Sequence, residues 1–173
     1  QTVSTRKRIA VANATDSHTL NAIIKAVDMG FVEAYLLGDV AAIESPSLFD
    51  KKPSLHIHII DIPDSTHATL EAVRMVKSGE ADILMKGLVN TDVLLRAILD
   101  KEKGLVPHGN ILSFSAALEI PLYHKLVFFS DPAVIPSPSL EQRREIIRYS
   151  IKTAEKFGIF KPKIALIHAT EKL

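Results

Sequence analysis

The segment ADILMKGLVNT, residues 81–91, has the pattern of a buried strand that passes through a turn into a helix. Lys86 and Gly87 form the predicted turn. Asn90 or Thr91 can cap the helix that follows. In parallel α/β sheets, ligands bind where strands end, and a helix N-terminus at that edge favours anions. The segment therefore predicts an anion site at this corner, although an ordinary strand-turn-helix with an exposed lysine has the same pattern.

The same alternation of strand and helix extends from this segment back to the start of the chain. Apolar runs predict strands at 9–12, 34–37, 55–62 and 81–85, and the stretches between and after them predict helices at 17–29, 40–44, 64–78 and 90–100. A Ser/Pro/Lys-rich loop is predicted at 45–53. Because the strands are apolar throughout, we expect a mainly parallel sheet with helices on both faces.

The pattern changes after residue 100. Two strand-like runs, 110–119 and 125–130, predict a hairpin or a pair of adjacent strands, and a proline-rich loop follows. A long helix is predicted at 140–157 and a last strand at 163–168. We predict an N-terminal α/β domain over 1–138 and the truncated start of a second α/β domain over 139–173. The abrupt ending and the missing initiator methionine lead us to expect that residues are missing at both ends.

Composition excludes several classes of protein. Of 173 residues, 47% are hydrophobic and 24% charged, and the net charge is +1, which is typical of a globular domain and not of a disordered chain. The chain lacks the excess of basic residues that is typical of a nucleic-acid-binding protein. The absence of cysteine excludes disulfides, thiolate zinc sites and a cysteine nucleophile. No apolar run approaches the roughly 20 residues that span a bilayer, so we predict no membrane contact and a cytoplasmic location.

Other polar residues offer weaker candidates for chemistry. Asp131 follows a predicted strand, where it could orient a substrate or accept hydrogen bonds from backbone N–H groups. His108 is the histidine best placed for a ligand cleft, and His168 is ambiguous. Ser113 and Ser115 lie on a predicted strand without the G-x-S-x-G elbow of a nucleophile. No histidine pair has the spacing of a zinc site, so no metal site is predicted. The Walker sequence and the G-x-G-x-x-G motif are also absent, which argues against a P-loop and a Rossmann nucleotide site.

The longest of these motifs also carries a resemblance to a known family. ADILMKGLVNTDVLLRAIL, residues 81–99, resembles the signature of the phosphate acetyl/butyryltransferase family, and within it the butyryltransferase branch. Three other segments support the resemblance: KRIAVANATD at 7–16, SDPAVIPSPSLEQRREII at 130–147 and KPKIALIHATEKL at 161–173.

The resemblance implies a fold and a reaction. The family fold is a three-layer α/β/α architecture, similar to isocitrate and isopropylmalate dehydrogenases, with two domains, a cleft between them and usually a homodimer. The implied reaction moves a short acyl group between coenzyme A and inorganic phosphate. It implies coenzyme A and phosphate as substrates, no metal, no tightly bound cofactor, and neither a nucleic-acid nor a membrane partner.

The resemblance also implies roles for residues. The substrate-binding set would be Lys86, Gly87, Asn90 and Thr91 on the phosphate side, with Asp131 nearby and Ser113 and Ser115 close to a cleft-lining strand. The serine, arginine and aspartate with central catalytic roles in the family lie beyond this chain, so the segment alone is expected to be inactive. No arginine lies between Arg96 and Arg143, which favours the butyryl type. The alternatives to a butyryl-type enzyme are a phosphate acetyltransferase and a non-catalytic domain that binds coenzyme A or an acyl phosphate.

Overall fold

A computed structural model describes residues 6–45 and 54–167 of the chain. It divides into two compact units, Gln1–His108 and Gly109–Leu173, and each is described here by itself. The domain boundary that we predicted after Pro138 stays a prediction. Most of the predicted loop at 45–53, and His168, lie outside the described residues.

The first unit contains a four-stranded parallel sheet with strand order β3-β2-β1-β4. Its elements are β1 (Lys7–Ala12), α1 (Ser17–Asp28), β2 (Val32–Gly38), α2 (Val40–Ile43), β3 (Ile57–Asp61), α3 (Ser65–Ser78), β4 (Ile83–Lys86) and α4 (Thr91–Leu99). The predicted α/β class with a mainly parallel sheet is therefore confirmed. Lys86, which we predicted in a turn, is instead the last residue of β4 and lies opposite Ala12.

Alternate side chains of the central strand β1 pack on opposite faces of the sheet. Ile9 and Val11 join a core cluster with residues of α1 and α2, whereas Ala10 and Ala12 join a second cluster with residues of α3 and α4. This alternation follows from the two-residue repeat of a strand. The first unit thus has three layers, with the carboxyl ends of all four strands at one edge.

Aspartate side chains fix the start of three helices. The Asp16 carboxylate accepts the backbone N–H of Thr19 at 2.9 Å and begins α1. The Asp39 and Asp64 carboxylates cap α2 and α3 in the same way. These bonds satisfy N–H groups that have no partner inside a helix. None of the helices in residues 6–45 and 54–167 is long and apolar enough to cross a membrane.

The second unit contains a short antiparallel pair, β5 (Ala116–Leu118) and β6 (Val127–Phe129), followed by the helix α5 (Leu140–Lys156). The hairpin prediction was right in type, but the strands at 110–119 and 125–130 were predicted too long. Ser113 and Ser115 were expected on a strand, which was wrong, because both precede β5. Residues 163–167 are not a strand either, since no described strand pairs with them.

Candidate substrate-binding site

The turn after β4 is hydrogen-bonded to the segment that leaves β1. The Gly87 N–H donates to the Ala12 carbonyl at 2.9 Å, and the Leu88 N–H donates to the Asn13 carbonyl at 2.8 Å. The side-chain amide of Asn13 donates in return to the Leu88 carbonyl. Pairing between β1 and β4 therefore continues past the end of the sheet, and it fixes the backbone that leads into α4.

Gly87 is buried at this junction because the backbone of the β1 exit lies directly against it. A Cβ atom at this position would lie 2.3 Å from the Asn13 carbonyl oxygen and 2.7 Å from that of Ala12. No side chain fits at such distances. Gly87 is thus required for the close approach of two strand ends. Its approach to a ligand, which we also predicted, stays a prediction.

Asn13 is a site residue that sequence reasoning missed. Its side chain is buried, and its backbone is in the left-handed region at φ 55°. Asparagine is one of the few residues other than glycine that adopts this conformation readily. The available signal was a polar, turn-forming residue directly after a buried strand. Asn13 uses its carbonyl and its amide to hold Leu88, so it positions the turn before α4.

The start of α4 differs from that of the other described helices. Asn90 is its N-cap residue but makes no side-chain capping hydrogen bond, whereas the other helices have an aspartate or serine cap. Lys86, Asn90 and Thr91 are exposed. Asp92 adds one negative charge to the first turn, but it faces Arg96 across a 3.6 Å ion pair. The corner offers an exposed ammonium group and the N-terminal end of a helix, both of which attract anions.

In the second unit, the Asp131 carboxylate binds backbone N–H groups. It accepts from Phe114 at 3.1 Å, from Ala133 at 3.0 Å and from Val134 at 2.9 Å. Burial acts to raise the pKa of Asp131, but the hydrogen bonds that its charged form accepts outweigh this effect, and the pKa is lowered. Of our two interpretations of Asp131, the structure supports the acceptor of backbone hydrogen bonds. Contact with substrate stays a prediction.

The predicted site residues fall into two groups. Lys86, Gly87, Asn90 and Thr91 form one continuous corner of the first unit, while Ser113, Ser115 and Asp131 lie in the second.

Two histidines of the first unit, His108 and His58, have different surroundings. His108 is exposed at the end of the first unit. His58 pairs with Glu33 at 2.7 Å and stacks on Tyr35. Among the described residues, no group of three or more histidines and carboxylates could hold a metal ion.

Comparison with known sequences places these motifs in one family. A family model described as "Phosphate acetyl/butaryl transferase" matches residues 51–172. Phosphate butyryltransferase of Clostridium acetobutylicum is 38% identical over 165 residues, which are 95% of this chain and 54% of the relative. Phosphate acetyltransferase of Thermotoga maritima is 34% identical over 169 residues, 95% of this chain and 55% of that protein.

Comparison with solved structures agrees on the fold. A branched-chain phosphotransacylase from Enterococcus faecalis V583 superposes with a TM-score of 0.74 at 24% identity, covering 95% of this chain and 56% of that one. The chain spans about half the length of the curated relatives it matches. Since the family match extends over well more than half of the residues, the chain belongs to the phosphate acetyl/butyryltransferase family.

Proposed function

We propose that the full-length protein is an acyltransferase that moves a short, butyryl-type acyl group between coenzyme A and inorganic phosphate. Family membership supports this, and the relatives include both phosphate butyryltransferases and phosphate acetyltransferases. Phosphate acetyltransferase is therefore the second candidate. The absence of arginine between Arg96 and Arg143, where acetyl-type relatives are expected to carry one, favours the butyryl type.

The observation that carries the proposal is the corner at which β4 meets α4. An exposed ammonium group, on Lys86, lies directly before a helix whose N-cap, Asn90, makes no side-chain capping bond. The backbone between them is held by Asn13 and by the close packing of Gly87. We infer that phosphate or the phosphoryl group of an acyl phosphate binds here, with Thr91 as a further contact, because a preformed positive end lowers the cost of binding an anion.

The proposed chemistry needs few groups. A phosphate oxygen attacks the thioester carbonyl, the coenzyme A sulfur leaves, and the acyl phosphate forms; the reverse reaction regenerates the thioester. Holding both substrates together supplies much of the rate. Lys86 would reduce the negative charge of phosphate, while Ser113, Ser115 and Asp131 form the second group of proposed substrate contacts. We expect the residues with central catalytic roles to lie outside these 173, so that this segment alone is inactive.

The whole protein is proposed to follow the family pattern. It would be a cytoplasmic homodimer with an isocitrate and isopropylmalate dehydrogenase-like fold, with a domain boundary after Pro138. Coenzyme A and phosphate would bind as substrates only, with no tightly held cofactor and no nucleic-acid or membrane partner.

The decisive experiment measures release of coenzyme A from butyryl-CoA by the full-length protein, with and without phosphate. We expect release to require phosphate, and to be faster with butyryl-CoA than with acetyl-CoA. Faster reaction with acetyl-CoA would favour the second candidate. Release of coenzyme A that never depends on phosphate would contradict the assignment as a phosphate acyltransferase. Binding of coenzyme A or acyl phosphate without turnover would indicate a non-catalytic domain.

Lys86→Ala tests the corner itself. We expect the KM for phosphate to rise roughly tenfold, as for loss of a hydrogen bond to a charged group. The free energy of unfolding should change by less than about 0.5 kcal/mol, because Lys86 is exposed. Lys101→Ala is the matched control: it removes the same charge from an exposed position beyond the other end of α4. Equal effects of the two substitutions on KM would contradict a specific site.

A further inference from the structure

The junction of β1 and β4 is also the place where the first unit changes the face of the sheet that its helices cover. α1, which follows β1, contributes to one core cluster, whereas α4, which follows β4, contributes to the cluster on the opposite face. The two strands are neighbours in the sheet. Ligands of open parallel sheets bind at the carboxyl ends of such a pair of strands, because the chain leaves them in opposite directions. The topology therefore points to the same corner as the charge of Lys86.

The two helices that begin at this junction differ in what their first turns bind. At α1, the Asp16 carboxylate already accepts the Thr19 N–H at 2.9 Å. At α4, the N–H groups of residues 90–93 donate no hydrogen bond within the part of the chain that the structure describes. The first N–H groups of a helix have no partner inside it and bind anions. An external anion is therefore expected at α4 and not at α1.

The turn that leads into α4 uses its own N–H groups within the chain. Gly87 and Leu88 donate to carbonyls at the end of β1, and the Val89 N–H donates to the Gly87 carbonyl at 3.0 Å. The Leu88 carbonyl accepts from the side-chain amide of Asn13. The N–H groups that can bind an anion thus begin at Asn90, and their direction depends on how this turn is held.

Asn13 is firmly placed to hold the turn. Among the described residues, it is the only one other than glycine with a positive φ, at 55°. The next residue, Ala14, donates its N–H to the Leu37 carbonyl of β2 at 2.9 Å, which fixes the backbone beside Asn13 to the sheet. Asn13 is 7% exposed, so little water competes for its amide. The hydrogen bond to Leu88 therefore starts from a fixed donor.

We propose that Asn13 is a positioning residue for phosphate: by holding the Leu88 carbonyl, its amide sets the direction of the N–H groups at the start of α4. The proposal rests on the proposed function. Asn13 makes no contact with phosphate and acts through the turn, so the end of β1 contributes to the affinity of a site whose contacts lie on β4 and α4. The motif at residues 81–91 contains no sign of this contribution.

Steady-state kinetics of butyryl transfer by the full-length protein test the role of the amide. We expect Asn13→Ala to raise the KM for phosphate roughly tenfold, as for loss of one hydrogen bond, and to leave the KM for butyryl-CoA unchanged. Asn13→Gly separates the amide from the backbone, because glycine adopts a positive φ readily, and it should raise the KM for phosphate equally. A wild-type KM in Asn13→Gly, or an equal rise in both KM values, would overturn the proposal.

Val27→Ala controls for a general loss of stability. Val27 is 1% exposed near the end of α1, whereas Asn13 precedes the start of that helix. The truncation lowers the amount of folded enzyme, which reduces the maximal rate but not KM. We expect the KM for phosphate to stay at the wild-type value. A rise as large as that in Asn13→Ala would show that KM follows stability, and the proposal would fail.

Binding of inorganic phosphate, followed by NMR at backbone amides of the full-length protein, gives a readout that needs no turnover. The amides of residues 90–93 should shift on addition of phosphate, and the Kd from these shifts should rise roughly tenfold in Asn13→Ala. An unchanged Kd would overturn the role of Asn13.

The two measurements separate this role from the proposed function. A raised KM for phosphate in Lys86→Ala, with none in Asn13→Ala, would keep the corner as a phosphate site and refute the role of Asn13. A wild-type protein without phosphate-dependent transfer would refute the proposed enzyme, and the change of Kd in Asn13→Ala would still decide whether Asn13 positions phosphate.

Discussion

The two units differ most in how they bury their apolar residues. Among the residues that the structure describes, all but two of the buried apolar side chains belong to the first unit, the exceptions being Ile146 and Ala154 of α5. Most of the exposed large apolar side chains belong to the second, among them Phe129 at 41% and Leu118 at 44% exposure. A four-stranded sheet between two helical layers can build a core, whereas a two-stranded sheet is marginal by itself.

Within the second unit, one face of the strand pair packs against the end of α5, and the large side chains of the other face are partly exposed. The Phe128 ring packs edge-on against Phe157, with ring centres 5.3 Å apart, so that side faces the end of α5. Leu118 and Phe129 lie on the opposite face because strand side chains alternate. The comparison teaches that the first unit is specified largely by its own packing, whereas the second depends more on side-chain hydrogen bonds.

The largest expected effect comes from the same truncation made in each unit. Leu36→Ala removes a fully buried side chain from β2 and should cost about 3 kcal/mol of unfolding free energy. Leu118→Ala removes the same atoms from a 44% exposed side chain and should cost less than about 1 kcal/mol. Urea unfolding followed at individual amides by NMR measures both. Equal losses would show that the Leu118 face is buried in solution, and would break the comparison.

The next effect concerns the junction of β1 and β4. Gly87→Ala should cost about 3 kcal/mol, because its Cβ would meet two carbonyl oxygens that belong to the backbone and cannot swing away. Gly79→Ala, after α3, is the control: the space around it is open, and its φ of 80° should cost only about 1 to 2 kcal/mol. Urea unfolding gives both values. A smaller loss for Gly87→Ala than for Gly79→Ala would mean that the junction is looser than described.

The sequence predicted the first unit well because its signals are local and agree with one another. Each strand contains several apolar residues, and α1 and α3 have an aspartate directly before their first residue. The role of Asn13 could not be predicted from local sequence, because its hydrogen-bond partner Leu88 lies far along the chain. The corner containing Lys86 was predicted from its motif and stays a prediction as a binding site, whereas the packing of Gly87 against the end of β1 became visible only in the structure.

The second unit was predicted less well for a physical reason. Residues 110–119 have the composition of a strand, yet the ladder is interrupted at Phe114, where side chains of Ser130 and Asp131 take over the hydrogen bonds. Serine and aspartate compete with backbone ladders in this way, and the sequence does not show when they succeed. The prediction that Ser113 and Ser115 lie on a strand was wrong for the same reason, because both are next to Phe114.

A smaller effect separates two helix starts, one in each unit. Ser139 begins α5 with a capping box, in which its hydroxyl accepts the Gln142 N–H and the Gln142 side chain accepts the Ser139 N–H. Ser139→Ala should therefore cost about 1 kcal/mol of unfolding free energy. Asn90→Ala should cost clearly less, because Asn90 makes no side-chain capping bond. Residue-resolved urea unfolding compares them, and an equal or larger loss for Asn90→Ala would show that α4 is capped in solution.

The smallest expected effect is the response of the first unit to acid. The Arg74 side chain, followed by the Ser78 hydroxyl, lowers the pKa of Glu80 to about 2 from an ordinary value of 4.5. Because the charged form is favoured in the folded chain, its contribution to stability is present above pH 4.5 and is lost as the pH falls towards 2. Asp82, held by Arg8, also has a lowered pKa and acts in the same direction.

Urea unfolding at several pH values between 6 and about 2 measures this response. Glu80→Gln cannot titrate, so it should reduce the loss of stability on acidification, and the difference from wild type should disappear near the low end of the range. The ion pair between Arg74 and Glu80 is exposed, and surface ion pairs are weak and screened by salt. The difference in stability between wild type and Glu80→Gln should therefore also shrink in high salt. A salt-independent difference would mean that Glu80 stabilises the end of α3 through its hydrogen bond with Ser78 and not through charge.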